Sequence, residues 1–196
     1  MLILAFGHRK RRGKDLSAKL LCQNTVNKYG LESCKIRGFA DPLYTVAHYL
    51  YSWAGFQERL YYVQHGEEKE KVLQPIGKSP RQILIDLGTK GIRDNVYDQT
   101  FAHHLVHNLP NVPIVFIPDV RFMNEVAILK SLPVFFDVKL IRIDRDIETQ
   151  EDAVDNELSM FSDWDIIIDN NGTKKDLNLK LMENVFPHIE KKMERK

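Results

Sequence analysis

The chain has 196 residues, 43% of them apolar, which suits one folded domain with a sizeable hydrophobic core. Its 28 lysine and arginine residues nearly balance 27 acidic ones, which argues against a protein that coats nucleic acid with its whole surface. The chain has only two cysteines, without paired-ligand spacing, and no secretory signal, which argues against a secreted protein and a cysteine metal site. No apolar run approaches the ~20 residues of a membrane span, which argues against a membrane-spanning protein. We therefore expect a soluble, cytoplasmic folding unit in which Cys22 and Cys34 are buried apolar fillers.

The first apolar run, Ile3 to Phe6, predicts a strand that leads into a basic, glycine-bounded segment, residues 7–14, here called the basic loop. A helix from Lys14 to Lys28 should follow and end at Tyr29-Gly30. A strand, loop and helix in this order direct backbone N–H groups and the positive end of the helix dipole at one place, which suits a polyphosphate. Lys14 would then reach the β and γ oxygens.

The basic loop departs from the phosphate-loop pattern G-x-x-x-x-G-K-[ST] in three ways. The spacing from Gly7 to Gly13 is one residue too long, and His8 occupies the position of the first glycine. Asp15 replaces the hydroxyl residue that normally binds magnesium. A basic surface turn after an N-terminal strand is the alternative interpretation.

The middle of the chain predicts helices separated by short breaks. We expect a strand at 34–39 and then a helix that begins at Asp41-Pro42, whose apolar stripe consists of Val46, Ala47, Leu50 and Trp53. A mobile polar segment should follow at 64–78. A helix opened by Ser79-Pro80 should break at Gly88 to Gly91, and another helix should span 97–109.

The remaining segments predict further alternation of strands and helices. We expect a buried strand at 114–117 that ends in Pro118-Asp119, followed by a helix at 124–132. A strand at 138–143 should end at Asp144-Arg145, and another strand should span 165–168. Thr173 should cap a final helix, with frayed residues after Ile189. This alternation predicts an α/β fold with a parallel sheet flanked by helices.

Ligands of open parallel sheets bind beyond the carboxyl ends of the strands, and two acids stand where such a site would need them. Asp119 follows a buried strand and is the candidate for organising magnesium, with capping of the next helix as the alternative. Asp15 could hold a magnesium-bound water, because magnesium keeps several waters, or it could compensate the helix dipole. Ser17 is a substitute for the missing hydroxyl.

Arginines provide the planar, multi-donor groups that neutralise a phosphoryl group in transfer. Arg121, Arg142 and Arg145 lie at or near strand ends, with Arg145 the best lid candidate. Arg81 and Arg93 flank a Gly-Thr turn and could hold the phosphate of a second substrate. For each of them alone, a solvated surface arginine is the alternative. The histidines at 103, 104 and 107 lack a metal-ligand pattern.

Five blocks in this order resemble the phage-type deoxynucleoside monophosphate kinases, a branch of the P-loop kinases. They are Gly13-Lys14-Asp15, Phe39-Ala40-Asp41-Pro42, the segment Arg81 to Thr89, the segment Pro118 to Phe122 with Asn124-Glu125, and the segment Asp165 to Thr173. The resemblance implies a three-layer P-loop kinase fold in one domain over residues 1–196, with an acceptor-binding segment at about 39–109 and a lid at about 145–160.

The resemblance further implies transfer of the ATP γ-phosphoryl group to a deoxynucleoside monophosphate, with Mg2+ as cofactor. The expected partners are ATP and the monophosphate, and neither a membrane nor nucleic acid is expected. A homodimer is compatible with the resemblance. The expected compartment is the cytoplasm, which is that of the host if a phage encodes the chain. The implied catalytic residues are Lys14, Arg121 and Arg145, and magnesium would be held through water by Asp15 and Asp119. The residues implied to bind ATP are Gly7, His8, Arg9, Lys10, Arg11, Arg12, Gly13, Lys14, Asp15 and Leu16. The residues implied to bind the acceptor are Phe39, Asp41, Arg81, Gln82, Thr89, Arg93 and Phe101.

Two departures from the family pattern bear on nucleotide affinity and acceptor preference. Leu16 stands where relatives usually have threonine, and Tyr44 stands where some have lysine. Two other functions stay open on the sequence alone. One is a small-molecule kinase similar to phosphomevalonate kinases, and the other is a non-catalytic nucleotide or nucleic-acid binder that uses Arg9 to Arg12.

Overall fold

The computed structural model describes residues 1–147 and 157–194. The chain divides into two units, which we describe separately. The first unit consists of Met1–Gly38 and Leu105–Lys196, and the second consists of Phe39–His104. The second unit covers most of the segment to which the resemblance assigns acceptor binding.

Five parallel strands form the sheet of the first unit, in the order β2-β3-β1-β4-β5. The central strand, β1, is apolar and fully buried because it has neighbours on both edges and cover on both faces. The predicted α/β parallel sheet is therefore confirmed. The strands are β1 (Leu2–Gly7), β2 (Cys34–Ile36), β3 (Ile114–Val120), β4 (Asp137–Asp144) and β5 (Ile166–Asp169).

Helices follow the strands along the chain, and most begin where the sequence predicts. Gly30, after the first helix, has the positive φ of 91° expected of a terminating glycine, although its ψ of 169° is extended and not left-handed helical. The helices are α1 (Lys14–Tyr29), α2 (Asp41–Tyr51), α3 (Arg59–Gln64), α4 (Pro80–Ile85), α5 (Thr100–His107), α6 (Met123–Lys130), α7 (Lys174–Asn184) and α8 (Phe186–Glu194).

Side chains alternate between the two faces of the sheet, and both faces are buried. Leu2, Leu4 and Phe6 of β1 pack in one core with the apolar residues of α1, α7 and α8. Ile3 and Ala5 point to the other face and are also fully buried. The expected fraying after Ile189 is wrong, because α8 continues to Glu194 and buries Phe186 and Ile189.

The second unit has its own small core around aromatic side chains. Tyr44, Phe56 and Tyr62 contact one another, with ring centroids 5.4 to 6.4 Å apart. Ser79 caps α4 through its hydroxyl, as the Ser-Pro opening predicts. The segment predicted to be a mobile polar loop holds the end of α3, a 3-10 helix at Gly66–Glu70 and a bridge between Leu73 and Lys78.

Two predictions for the second unit are wrong. The buried face of α2 carries Leu43, Tyr44 and Ala47, whereas Val46, Leu50 and Trp53 of the predicted stripe are 44 to 71% exposed. The predicted break at Gly88 to Gly91 is absent, because α4 continues directly into a π-helix, Asp86–Arg93. Gly88 is needed there, since a Cβ would lie 2.6 Å from Leu43 Cδ2.

Among the described residues, no helix has the length and apolar character needed to cross a membrane.

Candidate functional site

The order of the strands places a topological switch point at the carboxyl end of β1. The chain leaves β1 through α1 toward β2, which lies on one side, whereas β4 is followed by β5 on the other side. The direction of the connections therefore reverses between β1 and β4. In open α/β sheets this reversal marks the usual place for a ligand. The basic loop starts there, because Gly7 pairs with Arg142 of β4 and with Val120 of β3.

The basic loop has a backbone conformation that most residues avoid. His8 has φ 81° and Arg11 has φ 58°, although neither is glycine, and Gly13 has φ 104°. A left-handed conformation of a non-glycine residue costs roughly 1–2 kcal/mol. Strain of this kind persists where the surrounding structure imposes it, and it is concentrated at functional sites. The loop is therefore held in shape by its neighbours.

Gly13 ends the loop at the N-terminus of α1, where the first N–H groups of a helix lack intrahelical acceptors. Gly13, the N-cap residue, has no side chain that could accept from them. Ser17 donates its N–H and its hydroxyl to the carbonyl of Gly13, at 2.8 and 3.0 Å, and is fully buried. The first N–H groups of α1 and the positive end of its dipole point toward the loop, which is the geometry of an anion site at a helix N-terminus.

Lys14 is folded into the loop. Only 6% of its surface is exposed, and its ammonium donates to the carbonyls of His8, at 2.8 Å, and Arg9. A buried ammonium is stable only with such hydrogen bonds. Lys14 therefore closes the loop on itself and brings a positive charge to its centre.

Two residues from the end of the chain hold the loop from outside. Asn170 is buried and donates its side-chain amide to the carbonyl of Arg12 at 2.8 Å. The ring of Trp164 lies against Gly7, so that a Cβ on Gly7 would be 2.5 Å from Trp164 Cη2. Asn170 blocks Gly13 in the same way, with its Nδ2 2.5 Å from a Cβ at that position. Both glycines are thus required by contact with these two side chains.

His8 is the uncharged member of this basic site. Burial first, and then the positive charges of Arg142, Arg9 and Lys14, lower the pKa of His8 from 6.5 to about 4 against the opposing effect of Asp144. His8 Nδ1 lies 3.5 Å from Asp144 Oδ1, which also accepts from Arg142 Nε at 2.7 Å. At neutral pH, His8 is a neutral ring between charged groups.

Asp119 lies on a β-bulge beside the loop. The pairing of β1 with β3 shifts between Ala5 and Gly7, so that Pro118 and Asp119 lie opposite Phe6 alone. A bulge of this kind redirects a side chain and is frequent beside active sites. Asp119 is 9% exposed and directly precedes Val120, the partner of Gly7. Its carboxylate is therefore carried at the edge of the basic loop.

Glu125 stabilises the start of α6. Its carboxylate accepts the N–H groups of Arg121, at 2.7 Å, and Phe122, at 3.1 Å, and it is almost fully buried. Arg121 lies just beyond the end of β3 and is partly buried. Glu125 therefore fills a capping role at the start of α6.

The other predicted residues of the first unit occupy less buried positions. Asp15 is exposed on the first turn of α1, and the side chain of Leu16 packs against the core. Lys10 is partly buried in the loop, and Arg145 is exposed directly after β4. The proposed lid at about 145–160 lies mostly outside the described residues, since 148–156 are not described.

The predicted acceptor residues all belong to the second unit, and several of them bind neighbours there. Arg81 Nε donates to Glu70 at 2.6 Å, and the side chain of Gln82 accepts the N–H of Ser79 at 2.8 Å. The Arg93 guanidinium lies 5.5 Å from the centre of the Phe101 ring. Asp41 pairs with Arg59, Phe39 is buried, and Thr89 lies in the π-helix.

The oxygen donors in the first unit fit magnesium bound together with a nucleotide. Such an ion takes one or two carboxylates, and phosphate oxygens and water complete its shell. Asp119 and Asp15 supply carboxylates of this kind at the ends of the loop region. Within residues 1–147 and 157–194, no three His, Cys, Asp or Glu side chains are grouped to hold a metal by themselves.

Sequence reasoning missed Trp164 and Asn170 as supports of the loop. Both lie about 150 residues beyond it, and a single sequence gives no sign of that contact. The signal that could have found Asn170 is its position directly after an apolar strand, the same position that singled out Asp119.

Comparisons with protein-family models and with curated protein sequences find no match for this chain.

Proposed function

We propose that this chain is an ATP-dependent kinase that transfers the γ-phosphoryl group to a deoxynucleoside 5′-monophosphate. The observation that carries the proposal is the strained, supported basic loop between β1 and α1, with the buried ammonium of Lys14 at its centre. A loop that exists only as a surface turn would not need two left-handed non-glycine residues and two buried supports. An anion with several oxygens is the ligand that such a loop suits best.

In this proposal, the loop and Lys14 bind the β and γ phosphates of ATP. The Lys14 ammonium already makes hydrogen bonds to loop carbonyls, so it exchanges these acceptors for phosphate oxygens when the nucleotide binds. Mg2+ bound with ATP supplies further neutralisation of phosphate charge. Asp119 and Asp15 hold it through water, which requires few carboxylates.

Catalysis by positioning and charge neutralisation suits the residues at this edge of the sheet. The acceptor phosphate is an anion at pH 7 and needs no general base to act as a nucleophile. His8, with a pKa of about 4, is a neutral ring and adds no charge to the site. Arg121 and Arg145 are the proposed arginine donors to the transferred group.

The second unit supplies the acceptor contacts in this proposal. Arg81 and Arg93 bind the monophosphate, Gln82 and Thr89 add polar contacts, and Phe39, Asp41 and Phe101 contact the nucleoside. This assignment comes from the family resemblance of the segment Arg81 to Thr89. The ring contact between Arg93 and Phe101 supports it, because it brings a phosphate-binding group and an apolar ring together.

The test is ADP release from Mg-ATP with dGMP, dTMP, dCMP and dAMP offered separately. We expect release that depends on one or more acceptors and that falls at least ~100-fold in Lys14→Ala, the scale of losing one preorganised charge. Lys19→Ala is the matched control, because Lys19 is an exposed lysine of the same helix, and it should retain wild-type turnover.

Two results would contradict the proposal. The first is turnover that Lys14→Ala and Lys19→Ala reduce equally. The second is a folded protein that binds ATP and phosphorylates none of the four acceptors. Mevalonate phosphate belongs in the same panel, since its phosphorylation in place of the deoxynucleotides would identify a small-molecule kinase of another class.

A further inference from the structure

The two cysteines are in contact, although the sequence gives no reason to pair them. Cys22 lies on α1 and Cys34 on β2, and their sulfur atoms are 3.0 Å apart. Cys34 is buried, whereas Cys22 is only half-buried. The expectation that both are buried fillers is therefore wrong for Cys22. Cys22 is thus the more accessible of the two residues, and Cys34 lies in contact with it.

We infer that Cys22 and Cys34 form an oxidation site, at which a hydroperoxide converts the dithiol to an intramolecular disulfide between α1 and β2. A disulfide bond needs its sulfur atoms about 2.05 Å apart, so the pair must close by about 1 Å. The site depends on the cysteines alone and not on the proposed kinase activity.

The two thiols have different surroundings, which assigns their roles. The hydrogen bond from Cys34 lowers the pKa of Cys22, and the charge of Lys35 acts in the same direction, against burial. The hydrogen bond with Cys22 and burial raise the pKa of Cys34. Cys22, the less buried residue, is therefore the one that ionises first and attacks, because the thiolate is the nucleophile. Cys34 is the resolving thiol.

The reaction proceeds in two balanced steps. The Cys22 thiolate attacks one oxygen of hydrogen peroxide, which forms an S–O bond, breaks the O–O bond and releases hydroxide, leaving a sulfenic acid. The Cys34 sulfur then attacks the Cys22 sulfur, forms the S–S bond and expels hydroxide, which leaves as water with the Cys34 proton. Two thiols lose two electrons, and one peroxide is reduced to two waters.

The disulfide would join the middle of α1 to the start of β2. It encloses the last two turns of α1 and the turn at Gly30 to Ser33, in which Ser33 donates its hydroxyl to the carbonyl of Gly30 at 2.6 Å. A link across so short a loop restricts the unfolded chain. We expect the oxidised protein to unfold about 5–10 °C higher than the reduced protein.

The experiment treats the reduced full-length chain, freed of reductant, with a few equivalents of hydrogen peroxide. Free thiols are then counted after denaturation, and the intact mass is measured. We expect both thiols to disappear together in a monomer whose mass is lower by two hydrogens, and to return with dithiothreitol. The higher melting temperature should return to the reduced value in the same step.

Single variants separate the roles of the thiols. In Cys34→Ser, dimedone should trap a sulfenic acid at Cys22, whereas in Cys22→Ser the buried Cys34 should stay reduced over the same period. Circular dichroism before treatment shows whether each variant is folded. If a variant is unfolded, the thiol count of the wild-type protein still tests whether the disulfide forms. Independent loss of the two thiols, a sulfinic acid at Cys22 beside a free Cys34, or disulfides only between chains would each overturn the inference.

Discussion

The two basic regions of this protein hold their positive charges in opposite ways. In the basic loop, Lys14 is buried against backbone carbonyls, and His8 of the same loop is neutral. In residues 70–93 of the second unit, the cations pair with carboxylates. Arg81 contacts Glu70, and hydrogen bonds from Lys78 and then Lys90 hold the pKa of Asp86 at about 2.

For the proposed ATP site, this difference favours the basic loop over residues 70–93. The loop holds its charges in place through buried supports, and a ligand that binds there replaces backbone carbonyls and meets an open helix end. In residues 70–93, an anion must first displace carboxylates from surface ion pairs, which are individually weak. The first region should thus be sensitive to small changes of shape, and the second to changes of charge.

The largest effect is expected from a change in the shape of the basic loop. Gly13→Ala makes this change, and Gly77→Ala is its control. Both glycines have positive φ, 104° and 71°, so each alanine adds roughly 1 kcal/mol of backbone strain. Only at Gly13 would the new Cβ also meet Asn170, at 2.5 Å, whereas nothing lies within 4 Å at Gly77. We expect Gly13→Ala to lower turnover with ATP about 100-fold, since displacements of about 1 Å have effects of that size.

Titration calorimetry with ATP and thermal unfolding of both variants provide the measurement. Gly77→Ala should bind ATP as the wild type does and should lose only the roughly 1 kcal/mol of backbone strain, whereas Gly13→Ala should lose more. Equal ATP affinity in the two variants would show that the contact between Gly13 and Asn170 has no part in nucleotide binding.

The second effect is a pH dependence that comes from His8. Its folded-state pKa of about 4 is below its ordinary value of 6.5, so the unfolded chain binds the proton more readily. Stability is complete above pH 6.5 and is lost as the pH falls toward 4. Between pH 7 and pH 4.5 this group should contribute about 2–3 kcal/mol of that loss.

Urea unfolding at the two pH values, in the wild type and in His8→Gln, measures this contribution. The loss on acidification should be smaller in His8→Gln by that amount, while His188→Gln, in the same unit, should follow the wild type. Parallel pH curves for the wild type and His8→Gln would place the acid sensitivity elsewhere.

The third effect removes a support of the loop. Asn170→Ala leaves the Arg12 carbonyl without its amide donor in a buried place and should lower the free energy of unfolding by about 1–2 kcal/mol. Asn171→Ala changes the exposed neighbour, which binds Asp146 and Asp169, and should lower it by less than about 1 kcal/mol. Urea unfolding compares the two, and weaker ATP binding should accompany only Asn170→Ala.

The smallest effect concerns charge in the second unit. Glu70→Gln removes the carboxylate partner of Arg81, and since exposed pairs contribute only 0.2–1 kcal/mol, stability should change by less than about 1 kcal/mol. If Arg81 binds the acceptor phosphate, the acceptor KM should fall by about 1.5- to 5-fold, the equivalent of that energy. Glu68→Gln, which frees Lys71, is the control and should leave the KM unchanged.

The sheet was predictable because its strands are marked by local signals. The runs at Ile3 and Ile114 are apolar without interruption, which is what strands buried on both faces require. The stripe on α2 failed, since Val46, Leu50 and Trp53 have helical spacing but face solvent. Periodicity reveals that a helix has an apolar face, and it does not reveal whether that face or a neighbouring one meets the core.

Features that depend on distant contacts could not be predicted. The bulge at Pro118 and Asp119 exists only in the pairing of β3 with β1. The break predicted at Gly88 failed because the glycine admits Leu43, which lies more than 40 residues earlier. The position of the basic loop, by contrast, could be predicted from the sequence. Its glycines and Lys14 lie within a few residues of the end of β1 and the start of α1.

The central position of β1 has a consequence for synthesis on the ribosome. Among the described residues, β1 pairs with β3 and β4, and the first of these partners follows it by about 100 residues. At 5–20 residues per second, the strand emerges on the order of 10 s before its first neighbour. The second unit is continuous in the chain and is complete within that interval. The nascent chain therefore carries an unpaired apolar strand, the form of segment that chaperones bind, while a later part of the sequence already folds.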